Sequence, residues 1–306
     1  MPGVRGKIYG MLQLPQPLGY LIGLVLATTI AVSLGWRNIF LITGGLGILT
    51  AIIILLLVKD VPRGNAEPEF ENAEQVGNYH FDWSKIKDIV TKNSQIMMDL
   101  QEFFGAFPWN TIVAFMFIYL AEEKGYAQSE ILMTMWPAIL VLASGFFVGG
   151  AAGDFIFIKT RKGRIMVALI GVSLDAVLLF VTLNKPIENK VLFSVMMGMT
   201  ALFMPISSAN VTSTVIDVAL PEIRSITLAV QYFIESSGAA SAPLITGILA
   251  DTLRAANYPR PRQTTILLIC ITAWLFCGMF YLITTKFIIG DIEELHRQLK
   301  TRAANN

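Results

Sequence analysis

The sequence predicts an all-α polytopic membrane protein with eight transmembrane helices. Three observations predict it. Of 306 residues, 54% are hydrophobic and 15% charged, whereas a soluble domain carries about 25% charged residues. Apolar runs of about 20 residues recur, long enough to cross a hydrocarbon core of about 30 Å. Lys and Arg gather on alternate connecting segments, as membrane insertion requires. Length alone suggests roughly two soluble domains, but a mean hydropathy of +0.61 overrides that expectation.

The first apolar run spans 8–33. The polar start, Met1 to Lys7, and the length of the run predict a retained helix rather than a cleaved signal peptide. A second run covers 36–58. The one long polar interruption follows, from Lys59 to about Gln95, rich in charge, Asn and Gly and holding Pro62 and Pro68. It reads as a linker whose second half forms an interfacial helix, with Trp83, Ile86 and Ile89 against headgroups. Six further spans follow at 96–120, 130–152, 165–183, 190–216, 225–250 and 264–288. Pro205 lies inside the 190–216 run and predicts a kink that frees a carbonyl. The two cysteines, Cys270 and Cys277, stand on one helical face two turns apart, too far to bridge. They read as small hydrophobes.

With the N-terminus taken as inside, most of the 23 Lys and Arg fall on one side. They are Arg5, Lys7, the linker cations, Lys159, Arg161, Lys162, Arg164, Arg224 and the C-terminal cations. Arg254, Arg260 and Arg262 oppose the bias. The distribution predicts a plasma-membrane protein with both termini cytoplasmic. Gly145, Gly149 and Gly153 recur every fourth residue, leaving one helix face bare for close approach. Gly150-x-x-x-Asp154 is echoed by Gly247-x-x-x-Asp251 at the other end of a later span. Such matches in two successive triplets of spans predict an inverted repeat, as transporters use.

Three stretches stand in order along the chain: Arg5-Gly6-Lys7 with Gly35-Trp36-Arg37-Asn38-Ile39-Phe40, then Gly150-Ala151-Ala152-Gly153-Asp154 with Lys162-Gly163-Arg164, then Pro221-Glu222-Ile223-Arg224 with Ala242-Pro243 and Gly247. Together they resemble the major facilitator superfamily. The first is similar to that family's fifth helix entering its sixth. The second resembles its loop signature between paired helices, in a longer form. The third resembles the approach to its eleventh helix. Glu102 to Trp109 is similar to the Spinster-like branch.

The resemblance implies twelve helices in two six-helix bundles, of which this chain matches the last eight. Residues 1–58 then form the last two helices of the N-terminal bundle and 59–95 the central cytoplasmic linker. Residues 96–290 form the C-terminal six-helix bundle and 291–306 a cytoplasmic tail. An N-terminally incomplete chain is implied, with a separately encoded N-terminal helix bundle as an expected partner.

Polar side chains inside a bilayer are costly and usually face protein or water. On the third span Asp99, Glu102, Ala106 and Asn110 form one stripe. It either lines a cavity or is hydrated at its lower end, and Trp109 either stacks on a substrate or packs the core. On the sixth span Ser207, Asn210, Thr214 and Asp217 share a face, with Asn210 the best cavity candidate. Asp217 is expected as a hydrated end or as a gate ion pair with Arg224. On the seventh span Gln231 and Glu235 lie four apart. Glu235 is at mid-span, placed to exchange a proton during transport or to hydrogen-bond a neighbouring helix. Asp175 is expected to make a structural hydrogen bond. Gly150, Asp154, Lys162, Gly163 and Arg164 are expected to act as a gate or latch at the helix junction.

His80 and His296 form no metal spacing, and no phosphate loop or nucleophile elbow occurs. No enzyme, cofactor or nucleic-acid partner is expected. The expected function is secondary active transport of a small solute by alternating access, ion- or proton-coupled. The alternative is a nonfunctional remnant, or one subunit of a split transporter without independent activity.

Overall fold

In hydrocarbon every backbone N–H and C=O must be satisfied within its own segment, and a helix does this. The computed structural model describes residues 2–26, 31–59, 91–184 and 189–305, and these are helical with no strand among them. The linker expectations for His80, Trp83, Ile86 and Ile89 lie outside the described residues.

The helices are α1 Arg5–Gln13, α2 Pro15–Val25, α3 Ala31–Leu34, α4 Trp36–Leu57, α5 Asn93–Glu122 and α6 Gln128–Lys159. They continue with α7 Gly163–Asn184, α8 Lys190–Phe203, α9 Ile206–Val218, α10 Arg224–Ala255 and α11 Pro261–Asn305. Among the described residues, seven segments are long and apolar enough to cross a membrane, with α8 and α9 counted as one. The expected run at 8–33 is not one rod. Pro15 and Pro17 have no N–H to donate, so α1 closes at Leu14, whose N–H reaches Met11 at 3.3 Å, and α2 restarts at Pro15. The expected kink at Pro205 separates α8 from α9.

α5 packs against α10 and α11, α6 against α8, and α7 against α11 and α6; α1 and α2 lie along α6. The shared core includes Met98, Met116, Tyr119, Ile165, Leu179 and Phe193. Cys270 and Cys277 are buried in it as free thiols. Residues 291–305, expected as a tail, continue α11 without a break. Ile292, Leu295 and Leu299 recur at helical spacing and are buried, so this stretch rests on the protein along one face. None of the residues of α4 is buried.

Lipid is as apolar as leucine, so helices join where small residues let backbones approach. A Cβ on Gly149 would stand 2.6 Å from Ile206 Cα, and one on Gly145 would strike the Leu202 carbonyl. Gly153 faces Asn210 with as little room. The face predicted by the four-residue glycine spacing therefore receives α8 and α9. At the end opposite the α6–α7 loop, Glu123 accepts the backbone N–H groups of Arg262 (2.7 Å) and Gln263 (3.1 Å), capping α11. Glu122 pairs with Arg254 at 2.9 Å and Arg262 at 2.7 Å. Two of the three cations that oppose the charge bias are thus neutralised in place.

Gly149→Ala is expected to overpack the α6–α9 contact and destabilise the detergent-solubilised protein by about 1–3 kcal/mol. The readout is a lower thermal midpoint. Gly198→Ala, where a new Cβ meets nothing within 4 Å, is expected to leave the midpoint unchanged.

Candidate functional site

Two polar assemblies lie inside the helix packing. The first is a cavity of about 120 Å³ where α2 meets the bundle of α5 to α11. The α5 stripe supplies Glu102, Ala106 and Asn110, with Trp109 beside them, and α10 supplies Glu235. Gln231, one turn before Glu235, donates from Nε2 to Glu102 Oε1 at 3.0 Å. Asn110 donates back to the Ala106 carbonyl of its own helix at 2.8 Å. Glu102, Trp109, Asn110 and Glu235 are therefore brought to one space, and Gln231 ties the two glutamate-bearing helices together. No Lys or Arg lines the cavity among the described residues.

Sequence reasoning did not assign Gln16, Gln101 or Trp274, which also line it. Gln16, a polar residue between two prolines in an apolar run, carried a usable signal. A second, apolar cavity shares Trp109, Leu142 and Met204 with the first and extends past Tyr20, Met135 and Met197. Trp109 thus borders a polar chamber and an apolar one.

Three expectations need correction. Asn210 does not line the cavity. It is fully buried, and its Nδ2 donates to Gly149 O at 2.9 Å and Ile206 O at 2.7 Å, so it bonds α9 to α6. The close approach at Gly149 and Gly153 turns it toward α6. Asp99 is not a hydrated end; it is buried and accepts from Gln95 Nε2 at 2.8 Å. Asp175 is buried with neither carboxyl oxygen hydrogen-bonded among the described residues, so the structural bond expected of it is not seen.

The second assembly lies at the end that carries Lys159, Arg161 and Lys162, here called the basic end. Asp154 Oδ1 accepts the Gly6 N–H at 3.0 Å and Oδ2 the Lys7 N–H at 2.8 Å. These are first-turn donors of α1, which lack intrahelical partners and favour an anion. Arg164 donates to Asp154 Oδ1 from Nη2 at 2.6 Å and Nε at 3.1 Å, and from Nη1 to Asp217. Arg5 Nη1 reaches Asp217 Oδ1 at 2.6 Å. Two carboxylates and two guanidiniums form one network joining α1, α6, α7 and α9. Asp154 and Arg164 are each 1% exposed.

The network corrects the reading of Asp217 as a hydrated end, since it is 4% exposed and paired with Arg5 and Arg164. Arg224 instead donates from Nε to the carbonyls of Ala219 (3.1 Å) and Ile216 (3.3 Å), closing the end of α9. Gly150 lies against the Gly6 carbonyl, where a Cβ has no room. Gly163 starts α7 pressed on the Ile156–Phe157 backbone, and Lys162 is half-buried in the loop before it. Arg5 and the Gly6 and Lys7 amides were missed as partners of this network, because nothing local tells a helix N-terminus which anion it will meet.

The model of the Major Facilitator Superfamily matches residues 1–243. The chain is 22% identical over 310 residues to the Mus musculus sphingosine-1-phosphate transporter SPNS2, a match covering 92% of this chain and 54% of that protein. It is 21% identical over 277 residues to Homo sapiens protein spinster homolog 3, covering 82% and 52%. The chain spans about half the length of these curated relatives. Among solved structures it is similar to a bacterial homolog of the human lysosomal transporter Spinster, in inward-facing and unoccupied conformation. That match has a TM-score of 0.56 and 20% identity, covering 94% of this chain and 66% of that one.

Arg164→Ala leaves two buried carboxylates without their shared cation, and removal of one partner from such a network costs about 3–5 kcal/mol. The thermal midpoint of the purified protein is expected to fall accordingly. Pairing Arg5→Ala with Asp217→Asn in a double-mutant cycle is expected to give a non-additive midpoint shift; strict additivity would show the two residues uncoupled.

Proposed function

The chain belongs to the major facilitator superfamily, and on that premise we propose that it serves secondary transport of a small amphipathic solute by alternating access. The observation that carries the proposal is the cavity where α2 meets the bundle, with Glu102, Glu235, Trp109 and Asn110 turned to one space. Transporter sites of this class lie between rocking helix groups. α1 and α2 would move against α5–α11, and the Asp154–Arg164–Asp217–Arg5 network is the latch that closes the basic end. Opening requires α1 to leave Asp154 and Arg5 to leave Asp217, while the Asp154–Arg164 pair stays within the bundle.

The distribution of Lys and Arg supports a cytoplasmic basic end with both termini inside a cell membrane. The adjoining polar and apolar chambers support an amphiphile, with headgroup beside the glutamates and tail past Trp109 toward Met135 and Met197. Two carboxyl groups with no cation lining the chamber among the described residues suit an amine-bearing headgroup. Sphingosine-1-phosphate, the solute in the name of the Mus musculus relative, carries such an amine beside its phosphate. Glu235, which lines the same chamber as Glu102 of the Glu102–Gln231 pair, is the proposed proton carrier.

A second reading is favoured by α4, whose residues are all unburied. This polypeptide would then act together with a separately encoded helix bundle that covers α4, rather than alone.

In proteoliposomes with an imposed proton gradient, uptake of a long-chain amine such as sphingosine is expected. Glu235→Gln is expected to lower gradient-driven uptake at least about tenfold while solute binding persists. Uptake that keeps its gradient dependence in Glu235→Gln would remove this residue from the coupling. The same assay repeated with added N-terminal helices separates the two readings.

A further inference from the structure

The extension of α11 past Gly290 is not used by the transport reading, and neither are most cations of the α6–α7 loop. A cleft of about 550 Å³ lies between them, lined by Arg161 on one side and by Ile292, Glu293, His296, Arg297, Lys300 and Thr301 of α11 on the other. A second cleft, of about 380 Å³, opens on the other side of Arg161 and is lined by Gly3, Phe157, Ile158, Lys159 and Thr160. Arg161 belongs to both.

Their depth is set by the apolar surface beside them. Phe155 and Ile158 are 63% and 73% exposed, the last lipid-facing side chains of α6. One residue later the chain turns basic. The clefts therefore begin where the hydrocarbon surface stops, at the level of lipid headgroups. The buried face of Ile292, Leu295 and Leu299 holds the extension of α11 against the protein, so Arg297 and Lys300 stand on a fixed platform.

The charge at this level is positive and largely unspent. Arg161, Arg297 and Lys300 face Glu293, with His296 between. Glu294 pairs with Arg297. No ion pair with a carboxylate is made by Arg161, Lys159 or Lys300 among the described residues. Aromatic rings hold two of these cations instead: Arg161 lies over Phe157 at 5.1 Å and Lys159 over Phe155 at 4.9 Å. A ring orients a cation without neutralising it. A planar guanidinium and an ammonium across an open cleft match phosphate oxygens.

We infer that this cleft binds the phosphorylated headgroup of an anionic phospholipid, its phosphate seated between Arg161, Arg297 and Lys300 and its acyl chains along Phe155 and Ile158. Basic pockets between helices at the cytoplasmic surface take such headgroups. Occupancy by lipid needs the basic end to face an anionic leaflet, as the orientation reading holds, but it does not depend on transport. Arg161 is three residues before Arg164, so a lipid held here braces the loop that leads into the latch arginine of α7 against α11.

The test is native mass spectrometry of the purified full chain in detergent, titrated with dioctanoyl phosphatidylinositol bisphosphate. Dioctanoyl phosphatidylcholine and soluble inositol trisphosphate serve as comparison ligands. The phosphoinositide is expected to bind more tightly than either. Arg161→Gln with Lys300→Gln is expected to weaken it by about 30-fold, since each of the two cations contributes about 1 kcal/mol and about 1.4 kcal/mol is tenfold. Arg161→Lys with Lys300→Arg is expected to keep most of the binding, which shows that charge and not fold was lost. Arg37→Gln with Lys286→Gln removes two cations of the chain outside both clefts and is expected to have no effect. An equal loss in that pair, or no preference over phosphatidylcholine, would overturn the site. Equal binding of inositol trisphosphate would assign the cleft to a free phosphate-bearing solute and overturn the lipid part.

Discussion

Arg164 is the group on which the packing of this molecule turns. A guanidinium 1% exposed has lost its water, and Asp154 and Asp217 both accept from it. Those carboxylates come from α6 and α9, so the charge requirement of one side chain ties three helices of the bundle at one end. Asp154 has acceptor capacity left and spends it on the first amides of α1. Asp217 spends its remainder on Arg5. The same network that holds the bundle together thus holds α1 to it.

The two halves of that network differ in kind. The Asp154–Arg164 pair spans 10 residues and lies inside the bundle, whereas Arg5–Asp217 spans 212 and crosses to α1. Contacts between α1 and α6 rest on glycines. Gly6 lies against Gly150, and a Cβ added to Gly10 would stand 2.5 Å from the Phe146 carbonyl oxygen. A surface made of backbone and a few charge-assisted hydrogen bonds can part and re-form without repacking large side chains. The α5–α11 contact has another character, built on Phe104 stacked against Phe276 and Phe280 and on the thiol of Cys277. Backbone-on-backbone contacts and packed aromatic side chains therefore lie on opposite sides of the cavity.

The cavity follows from the same division. Glu102 and Glu235 come from α5 and α10, which are locked together by Thr111–Thr246 at 3.0 Å and by the fit of Gly238 on the Phe103 backbone. The opposite wall is Gln16 and Pro17 of α2, next to α1 with its ion-pair and glycine contacts. Under the proposed transport reading, this chamber is the space around which alternating access would work.

Much of this was legible from residue order alone. Run length and backbone satisfaction are local properties, so the membrane class, the later spans, the break at Pro205 and the close-approach face of Gly145, Gly149 and Gly153 could be read directly. The α5 stripe was legible as well, because residues three and four apart on a helix must share a face. What only the tertiary structure decided is which way each face turns. Asn210 and Glu102 sit on equally convincing stripes, yet one bonds α9 to α6 and the other borders the cavity. Asp217 found Arg5 and Arg164 rather than hydration, and residues 291–305 became a platform rather than a tail. The physical reason is common to all of these: a helix fixes the spacing of its side chains, but its rotation about its own axis is set by the neighbours it packs against.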